Sequence, residues 1–510
     1  MNTKALRQKI LDLAIHGKLV PQNPNDEGAT VLLEKIRAEK AEKIKKGELK
    51  TDKKDSFIFT KECEFDEDKL GKCSSGTRHK RHYEQFADGT VKDIEDEIPF
   101  DVPEGWAWCR LNELADIARG GSPRPIENYI TDSPDGINWI KIGDTAPESK
   151  YIESAKEKIK PEGQKHSRFV HEGDFLLTNS MSFGRPYILK INGCIHDGWL
   201  VFANIKECVI KDYLYYALSS DYIYASFSMV AAGSTVKNLK SDTVKQVLFP
   251  LPPIKTQEKI VESIEESFSQ IDILDNEKSD LQTAIKQTKS KILDLAIHGK
   301  LVPQDPNDEP AEELLKRIAT SDNRPYEKVE EEPFEIPDSW CWCNLGMIGT
   351  WKAGCTPNKK NIDYYKNGTI PWMLTGDLND NFITNIPNKI TDLAYKQTSL
   401  KLNPANSVCI AMYGATIGKL GILSFPSTTN QACCVCSDYQ GIFYKYLFYF
   451  LMQHKNEFIQ QGFGGAQPNI SKEKIISTLI PLPPLNEQNR IVYKIEELYK
   501  VLDQIQNNLV

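Results

Sequence analysis

The chain has 510 residues, of which 40% are hydrophobic and 26% charged, and its formal net charge is −8. This length exceeds the usual size of one hydrophobic core, so we expect two or more domains. The acidic balance argues against a uniformly basic nucleic-acid-binding surface, and no run approaches the ~20 apolar residues of a membrane span.

The negative charge is concentrated in one part of the chain. Residues 251–335 hold 11 basic and 20 acidic side chains, whereas residues 336–480 hold 12 and 8. Residues 100–250 hold 17 and 19, so a DNA-binding face there requires local clustering. The twelve cysteines show no regular framework spacing, and the first residues do not form a signal-peptide core. We therefore expect reduced thiols and a cytoplasmic location.

The first predicted element is a helical segment at residues 1–50. Residues 9–22 read KILDLAIHGKLVPQ, and residues 291–304 read the same fourteen residues, at an offset of 282. An internal repeat of this kind indicates two equivalent structural units. A charged insertion follows at residues 51–97, and the 48 extra residues of the first copy fall in the charged stretch between Gly47 and Glu97.

Two similar globular domains are predicted at residues 98–252 (domain 1) and 333–483 (domain 2). Their openings share a Trp-x-Trp-Cys-x-Leu pattern at an offset of 234, beginning at Trp106 and Trp340. Their exits share Pro-Leu-Pro-Pro at 250–253 and 481–484, an offset of 231.

A long central helix is predicted at residues 253–300, because apolar residues recur there at steps of three or four. It would be roughly 60 Å long at ~1.5 Å per residue. Gly299 and Pro303 mark its end. An acidic linker is predicted at 301–332, and a C-terminal helix at 484–510.

The two offsets together predict circular pseudo-two-fold symmetry. They place the C-terminus opposite residue 279 and the N-terminus opposite residue 283, so the terminal helices would together form a split copy of the central one. We predict an α+β protein: two similar globular domains separated by long antiparallel helices, a coiled-coil spacer.

These features resemble the specificity subunits of Type I restriction-modification systems, and the resemblance covers nearly the whole chain. Its carriers are the LPPxxxQ helix entries at 251–257 and 482–488, the KILDLAIHGKLVPQ segments, and the PxxWxWCxL openings at Pro103 and Pro337. The resemblance implies two target-recognition domains that each read half of a split DNA site. It also implies two methylation subunits that bring S-adenosylmethionine, and restriction subunits that bring ATP and Mg²⁺.

The candidate DNA contacts lie in four pairs of Gly- and Pro-rich loops, which could also be ordinary turns. Their Arg, Lys, Asn, Gln, Ser and Thr side chains suit phosphates and base edges. In domain 1 they are Arg119, Ser122, Arg124, Asn179, Ser182, Arg185, His196, Lys237 and Asn238. In domain 2 they are Lys352, Thr356, Lys359, Lys360, Tyr413, Thr416, Lys419, Asn430, Gln431, Gln467 and Asn469.

Other motifs favour structural interpretations. GATIGKL at residues 414–420 departs from a Walker motif in spacing and lacks the final Ser/Thr. Cys63, Cys73, His79 and His82 are irregularly spaced for zinc, so we predict no metal site. His16 and His298, which end their helices, are expected to complement the helix dipole.

No catalytic residues are predicted, because the sequence contains no glycine-rich S-adenosylmethionine loop, no Asn-Pro-Pro-Tyr or Asp-Pro-Pro-Tyr site and no Walker motif. Two alternatives stay open. One is a self-contained DNA methyltransferase or nuclease, and the other is a protein-binding scaffold without a DNA role.

Overall fold

The computed structural model forms two compact units, residues 1–276 and 277–510. It describes residues 2–48, 55–63, 79–146, 149–179, 183–231, 238–322, 329, 332–462 and 469–509. Each unit contains one of the two predicted domains together with flanking helices.

The helices range from single turns to one of 44 residues. They are α1 Thr3–Ile15, α2 Ala29–Lys45, α3 Leu111–Leu114, α4 Lys211–Leu218, α5 Asp221–Ala231, α6 Ser241–Lys245, α7 Ile254–Ile297, α8 Ala311–Asp322, α9 Asp392–Gln397, α10 Tyr444–Gln453, α11 Lys455–Gly462, α12 Lys472–Ile476 and α13 Leu485–Asn508.

Helix α7 is the predicted central helix, and it belongs to both units. It contains neither Gly nor Pro, so nothing in its sequence interrupts the backbone hydrogen bonds. At ~1.5 Å per residue it is about 66 Å long. Ile260 and Ile264 join the core of the first unit, whereas Ile292 and Ile297 join that of the second.

The first unit contains fifteen strands in its described residues. They are β1 Ser56–Cys63, β2 His79–Phe86, β3 Val91–Asp93, β4 Ala107–Arg110, β5 Asp116–Arg119, β6 Ile130–Thr131, β7 Ile137–Ile140, β8 Tyr151–Ile152, β9 Glu157–Ile159, β10 Arg168–Val170, β11 Phe175–Thr178, β12 Pro186–Leu189, β13 Gly193–Ile195, β14 Trp199–Ala203 and β15 Leu248–Leu251. Domain 1 is built on two five-stranded sheets, β5-β14-β11-β12-β8 and β10-β13-β7-β9-β6.

The second unit contains ten strands in its described residues. They are β16 Cys341–Asn344, β17 Thr350–Ala353, β18 Ile370–Met373, β19 Asn381–Ile383, β20 Lys389–Ile390, β21 Val408–Ala411, β22 Leu420–Leu423, β23 Thr428–Thr429, β24 Cys433–Ser437 and β25 Leu479–Leu482. The sheet β17-β24-β21-β22-β19 repeats the order of β5-β14-β11-β12-β8. The two domains therefore share their main sheet, as the repeat predicts, whereas the second sheet has five strands in domain 1 and three, β20-β18-β23, in the described residues of domain 2.

In these two matching sheets, the central strand is buried on both faces. In β11, Phe175 and Leu177 pack into the core shared with the helices, while Leu176 packs into a second core beneath the other sheet. In β21, Val408 and Ile410 take the first role and Cys409 the second. Because successive side chains point to opposite faces of a strand, this double burial requires an uninterrupted apolar run.

The opening and the exit of each domain pair with one another. Strand β4 is antiparallel to β15, and β16 is antiparallel to β25. Directly after each exit, a fully buried glutamine fixes the start of a helix. Gln257 accepts a hydrogen bond from the Ile210 N–H at 2.8 Å, and Gln488 accepts one from the Phe443 N–H at 2.7 Å. The residues that the two copies share therefore hold the first and last strands of each domain together.

Three predicted segments contain more structure than the sequence interpretation gave them. Residues 1–50 form two helices, α1 and α2, instead of one helical segment, and residues 51–97 include the three-stranded sheet β1-β2-β3. The predicted acidic linker 301–332 contains α8, which repeats α2 at the offset of 282. The physical reason is burial: Ala29 and Ala311 are both 0% exposed, and Leu315 packs into the core of the second unit.

Candidate nucleic-acid interface

In domain 1, Asp197 gathers several of the candidate side chains. Its carboxylate accepts hydrogen bonds from Ser122 Oγ at 2.9 Å and from Arg124 Nη2 at 3.2 Å. Its main-chain oxygen accepts from Arg119 Nε at 2.8 Å and from Asn179 Nδ2 at 2.9 Å. The structure therefore brings four predicted contact residues around one residue, Asp197, that the sequence interpretation did not select as a contact.

The charge of Asp197 is stabilised by this arrangement. Burial alone would raise its pKa, but the hydrogen bond from Ser122 and the positive charge of Arg119 lower it below the ordinary value. Arg124 remains 80% exposed although it contacts this carboxylate. The cluster thus presents a fixed negative charge with an exposed guanidinium beside it.

His196, next to Asp197, occupies a more enclosed position. Its ring lies 6.3 Å from the rings of both Trp139 and Trp199, and its Nδ1 accepts the Gly198 N–H at 2.6 Å. Burial lowers its pKa, which favours the neutral ring that can accept this bond. His196 therefore orders the turn that carries Asp197, and its predicted DNA contact stays a prediction.

A cleft of about 990 Å³ opens beside this cluster. Ser122, Arg124, His196 and Asp197 line it together with residues that the sequence interpretation missed, namely Trp139, Lys141 and Glu157. Lys141 Nζ lies 2.5 Å from Glu157 Oε1. No motif marks these residues, because β7 and β9 meet only through the folded sheet.

In domain 2, Gln431 takes the place of Asp197. The offset of 234 relates Ser122 to Thr356 and Asp197 to Gln431, and Thr356 Oγ1 donates to Gln431 Oε1. The loop-to-loop hydrogen bond is therefore kept, while the carboxylate is replaced by an amide. Lys352 Nζ lies 3.8 Å from Asp438 instead of joining this pair.

The loop pairs that follow β11 and β21 are also brought to these clusters. The Asn179 carbonyl accepts the Leu239 N–H at 2.9 Å, which places Asn238 beside Asn179. Its counterpart in domain 2 is an isolated bridge between Tyr413 and Asn469. Two predicted loops therefore meet in each domain.

Three buried amide oxygens near these loops lack a hydrogen-bond partner among the described residues. They are Oδ1 of Asn179, Asn238 and Asn430. Buried polar atoms are normally paired. Each of these oxygens therefore retains the capacity to accept a further hydrogen bond.

The other candidates are dispersed around the clusters. Arg185, Lys359, Lys360 and Tyr413 are exposed, whereas Thr416 and Lys419 are half-buried. Thr416 Oγ1 donates to the Tyr413 carbonyl and closes a 3-10 turn, so GATIGKL forms a turn in which Gly414 and Gly418 have positive φ. Ser182, Lys237 and Gln467 lie outside the described residues.

Buried cysteines and the candidate zinc ligands were given structural interpretations. Burial raises the pKa of Cys109, Cys343 and Cys434, to about 12 for the last, which leaves their thiols protonated. Within the described ranges, no group of three or more His, Cys, Asp or Glu is arranged for a metal ion; Cys73 lies outside them.

The two helix-ending histidines have equivalent surroundings. His16 stacks on Phe100 at 3.9 Å and His298 stacks on Phe334 at 4.0 Å. Their Nδ1 atoms lie 2.7 and 2.8 Å from the carbonyl oxygens of Asp12 and Asp294. Both rings thus contact the end of their own helix and an aromatic residue near the start of the domain.

A model of the Type I restriction modification DNA specificity domain matches the chain twice, over residues 103–283 and 337–509. The chain belongs to this family. The two matches coincide with the two domains and with the helices that follow them, which confirms the resemblance drawn from the sequence.

Relatives align over almost the whole chain. The specificity subunit of the Type I restriction enzyme EcoEI from Escherichia coli is 26% identical, over 99% of this chain and 90% of that protein. The corresponding subunit of EcoAI, also from Escherichia coli, is 26% identical over 98% and 90%.

Solved structures share the fold. The HsdS subunit from Thermoanaerobacter tengcongensis matches with a TM-score of 0.50 and 19% identity, covering 80% of this chain and 94% of that one. A chain from a structural study of type I R-M complex assembly gives a TM-score of 0.56 at 18% identity, covering 81% and 94%. The predicted α+β class with two similar domains is confirmed. Among the described helices, none is long and apolar enough to cross a membrane.

Proposed function

We propose that this chain is the DNA-recognition subunit of a Type I restriction-modification enzyme and that it reads a split, asymmetric site. The observation that supports this most directly is that one family domain occurs twice, on main sheets of the same strand order, with different side chains at equivalent loop positions. The relatives that align over nearly the full chain are specificity subunits by name.

The asymmetry of the site follows from the two loop clusters. Domain 1 presents Arg119, Arg124 and Asp197, whereas domain 2 presents Asn430 and Gln431. Base edges are distinguished by their pattern of donors and acceptors. Two domains with the same scaffold and different polar groups therefore read two different half-sites.

The spacing of the half-sites is set, in this proposal, by α7. Half-sites on one face of DNA recur every ~34–36 Å, or one helical turn. A connection made of one uninterrupted helix of 44 residues supports a fixed spacing better than a flexible linker would. The end-to-end placement of the terminal helices stays a prediction.

The chemistry belongs, in this proposal, to other subunits. Two methylation subunits supply S-adenosylmethionine, and restriction subunits supply ATP and Mg²⁺. The described loop clusters contain arginine, amide and hydroxyl groups suited to binding DNA. The chain contributes recognition and docking, and we expect no catalytic residue of its own.

The test is enrichment from a library of randomised duplex DNA. The chain is co-purified with the methylation subunit of its own system, and the methylated molecules are sequenced. We expect a split motif with two unlike halves. Enrichment of no motif would support the scaffold alternative, and methylation or cleavage by the chain alone would support a self-contained enzyme.

The spacer is tested separately by inserting four residues, about one helical turn, beside Ala284 in α7. We expect the gap between the half-sites to change while both halves keep their sequence. The matched control inserts the same residues at Gly89, in the turn between β2 and β3, and leaves the gap unaltered. An unaltered gap in the α7 variant contradicts the spacer role.

A further inference from the structure

Asp197 and Gln431 occupy the same place in the two domains, but they arrange different donors. Each accepts a hydrogen bond from the hydroxyl at the equivalent loop position, Ser122 in domain 1 and Thr356 in domain 2. In domain 1 the carboxylate also contacts Arg124. Because this hydrogen bond is present in both domains, the domains differ in the group that the residue presents, which is a carboxylate in domain 1 and an amide in domain 2.

Arginine and glutamine read different bases. A guanidinium forms two parallel hydrogen bonds with O6 and N7 of guanine, whereas a Gln or Asn amide does so with N6 and N7 of adenine. A carboxylate that contacts a guanidinium restricts its orientation, since charge-assisted hydrogen bonds are short and directional. A fixed arginine therefore discriminates guanine better than a mobile one.

We infer, on the basis of the proposed function, that Asp197 positions Arg124 to read a guanine in the half-site of domain 1, and that Gln431 reads an adenine in the half-site of domain 2. Asp197 is then a positioning residue. Arg124 and Gln431 are the residues that determine the base.

The remaining donors and acceptors fit this assignment. A guanidinium has five N–H donors, and the bond of Arg124 to Asp197 uses one of them; the side chain is 80% exposed. An amide oxygen has two lone pairs, so Gln431 Oε1 can accept from adenine N6 while it accepts from Thr356. Gln431 is itself exposed.

Neighbouring groups also point toward a ligand at these positions. Asn179 is 0% exposed, donates to the Asp197 carbonyl, and leaves its Oδ1 without a partner in the described part of the chain. Asn430 Oδ1, next to Gln431, is equally unpaired among the described residues. The cleft of about 990 Å³ lies on the side of Arg124 and Asp197.

The experiment measures base preference at every position of the methylated motif, with the chain in its methylation complex and a randomised duplex library as the probe. For Arg124→Gln we expect one G·C position in one half-site to lose about 5- to 150-fold of its preference, which corresponds to one two-bond contact. Asp197→Asn relaxes the same position. Gln431→Ala relaxes an A·T position in the other half-site.

Two surface variants serve as controls. Arg317→Gln removes an exposed arginine that pairs with Glu309, and Asp116→Asn removes a carboxylate at the opposite end of β5 from Arg119. Both should leave every position unchanged. Arg124→Gln keeps the bonds of Asp197 to Ser122 and Asn179, so it tests the inference even if Asp197→Asn fails to fold.

The inference is overturned if Arg124→Gln relaxes no single position, or relaxes an A·T position, or weakens both half-sites equally. It is also overturned if Asp197→Asn folds and leaves the position read by Arg124 unchanged. Failure of the proposed function looks different, because the unaltered complex would then enrich no split motif and no variant could be compared.

Discussion

Arg7 of helix α1 donates to Asp272 of α7 at 2.6 Å, and its guanidinium lies 4.8 Å from the centre of the Phe268 ring. The second unit repeats this cluster, with Lys289 Nζ 2.5 Å from Asp503 and 5.3 Å from the Tyr499 ring. The offset of 282 relates Arg7 to Lys289, and the offset of 231 relates Asp272 to Asp503 and Phe268 to Tyr499. In each unit, the helix that ends in KILDLAIHGK thus packs on the helix that follows Leu-Pro-Pro. Helix α7 is the helix that follows Leu-Pro-Pro in the first unit, and it is the helix that ends in KILDLAIHGK in the second.

This cluster gives the first prediction. Arg7→Ala removes a partly exposed ion pair and a cation–π contact, so we expect the free energy of opening α1 to fall by about 1 kcal/mol. Amide hydrogen exchange of α1 measures it. Lys4→Ala, on the same helix and exposed, is the control and should leave exchange unchanged; equal effects of the two variants would refute the role of Arg7.

The second prediction concerns the buried glutamine after each domain. Gln257→Leu leaves the Ile210 N–H and the carbonyls of Cys208 and Pro252 without their partner. Because unpaired buried polar groups are costly, we expect a loss of about 3 kcal/mol in the free energy of unfolding. Urea denaturation monitors it.

Two further variants calibrate that measurement. Gln488→Leu makes the equivalent change in the second unit, and its effect should be similar. Gln282→Leu alters an exposed position within α7 and should be nearly neutral. A Gln257 variant as stable as the Gln282 variant would show that the buried bonds contribute nothing net.

The third prediction concerns the glycine that ends each KILDLAIHGK helix. Gly17 has φ +65°, and a Cβ there would lie 2.3 Å from Pro103 Cγ; Gly299 has φ +67° and a corresponding distance of 2.4 Å to Pro337. Gly17→Ala should therefore cost ~1–2 kcal/mol for the backbone and a further ~1–3 kcal/mol for overpacking. Thermal unfolding measures the sum.

Gly47 separates the two contributions. Its φ is +74°, but a Cβ there would meet nothing within 4 Å. Gly47→Ala should show the backbone cost alone. If Gly17→Ala is no worse than Gly47→Ala, the close approach to Pro103 carries no energy.

The fourth prediction is a pH dependence in the first unit. Arg110, which is nearly buried, contacts Glu84 Oε2 at 2.6 Å and Glu97 Oε2 at 2.9 Å, and so connects the sheet β1-β2-β3 to domain 1. Partial burial would raise the pKa of Glu97, but Lys92 and Arg110 lower it below its ordinary value of 4.5. A lowered folded-state pKa means that ionised Glu97 stabilises the fold at pH values above 4.5.

That stabilisation is lost as the pH falls below 4.5 and through the lower folded-state pKa. We expect the protection factors of the β2 amides, corrected for the intrinsic pH dependence of exchange, to fall over this range, and Glu97→Gln to remove part of the change. Asp96→Asn, at an exposed neighbour, should keep it. Identical pH profiles for the unaltered chain and Glu97→Gln would contradict the prediction.

Sequence reasoning succeeded where the two copies share residues. Gln257 and Gln488, for example, make equivalent hydrogen bonds to the backbone because the residues around them are shared by the two copies. Interactions between residues distant in sequence were not predictable. Arg119 and Asp197 are 78 positions apart, and nothing in either loop indicates that the other lies beside it.

The high charge of two segments also led the sequence interpretation to miss their secondary structure. Counting acidic residues over 301–332 obscured the apolar stripe of Leu314, Leu315 and Ile318, which packs α8 into the core. In the insertion, Phe57 pairs with Gln85 across 28 positions, a register that no local pattern defines. The sequence therefore identified the loops of the candidate site, whereas the role of Asp197, which organises it, became visible only in the folded structure.

The fourteen shared residues have a consequence for how this protein can change. His16 and His298 make the same aromatic contact, and Gly17 and Gly299 meet the same proline, each within its own unit. A genetic crossover inside this segment would replace one recognition module while preserving these contacts at the junction. New sequence preferences can thus be acquired by exchange of whole modules, without prior adjustment of either core.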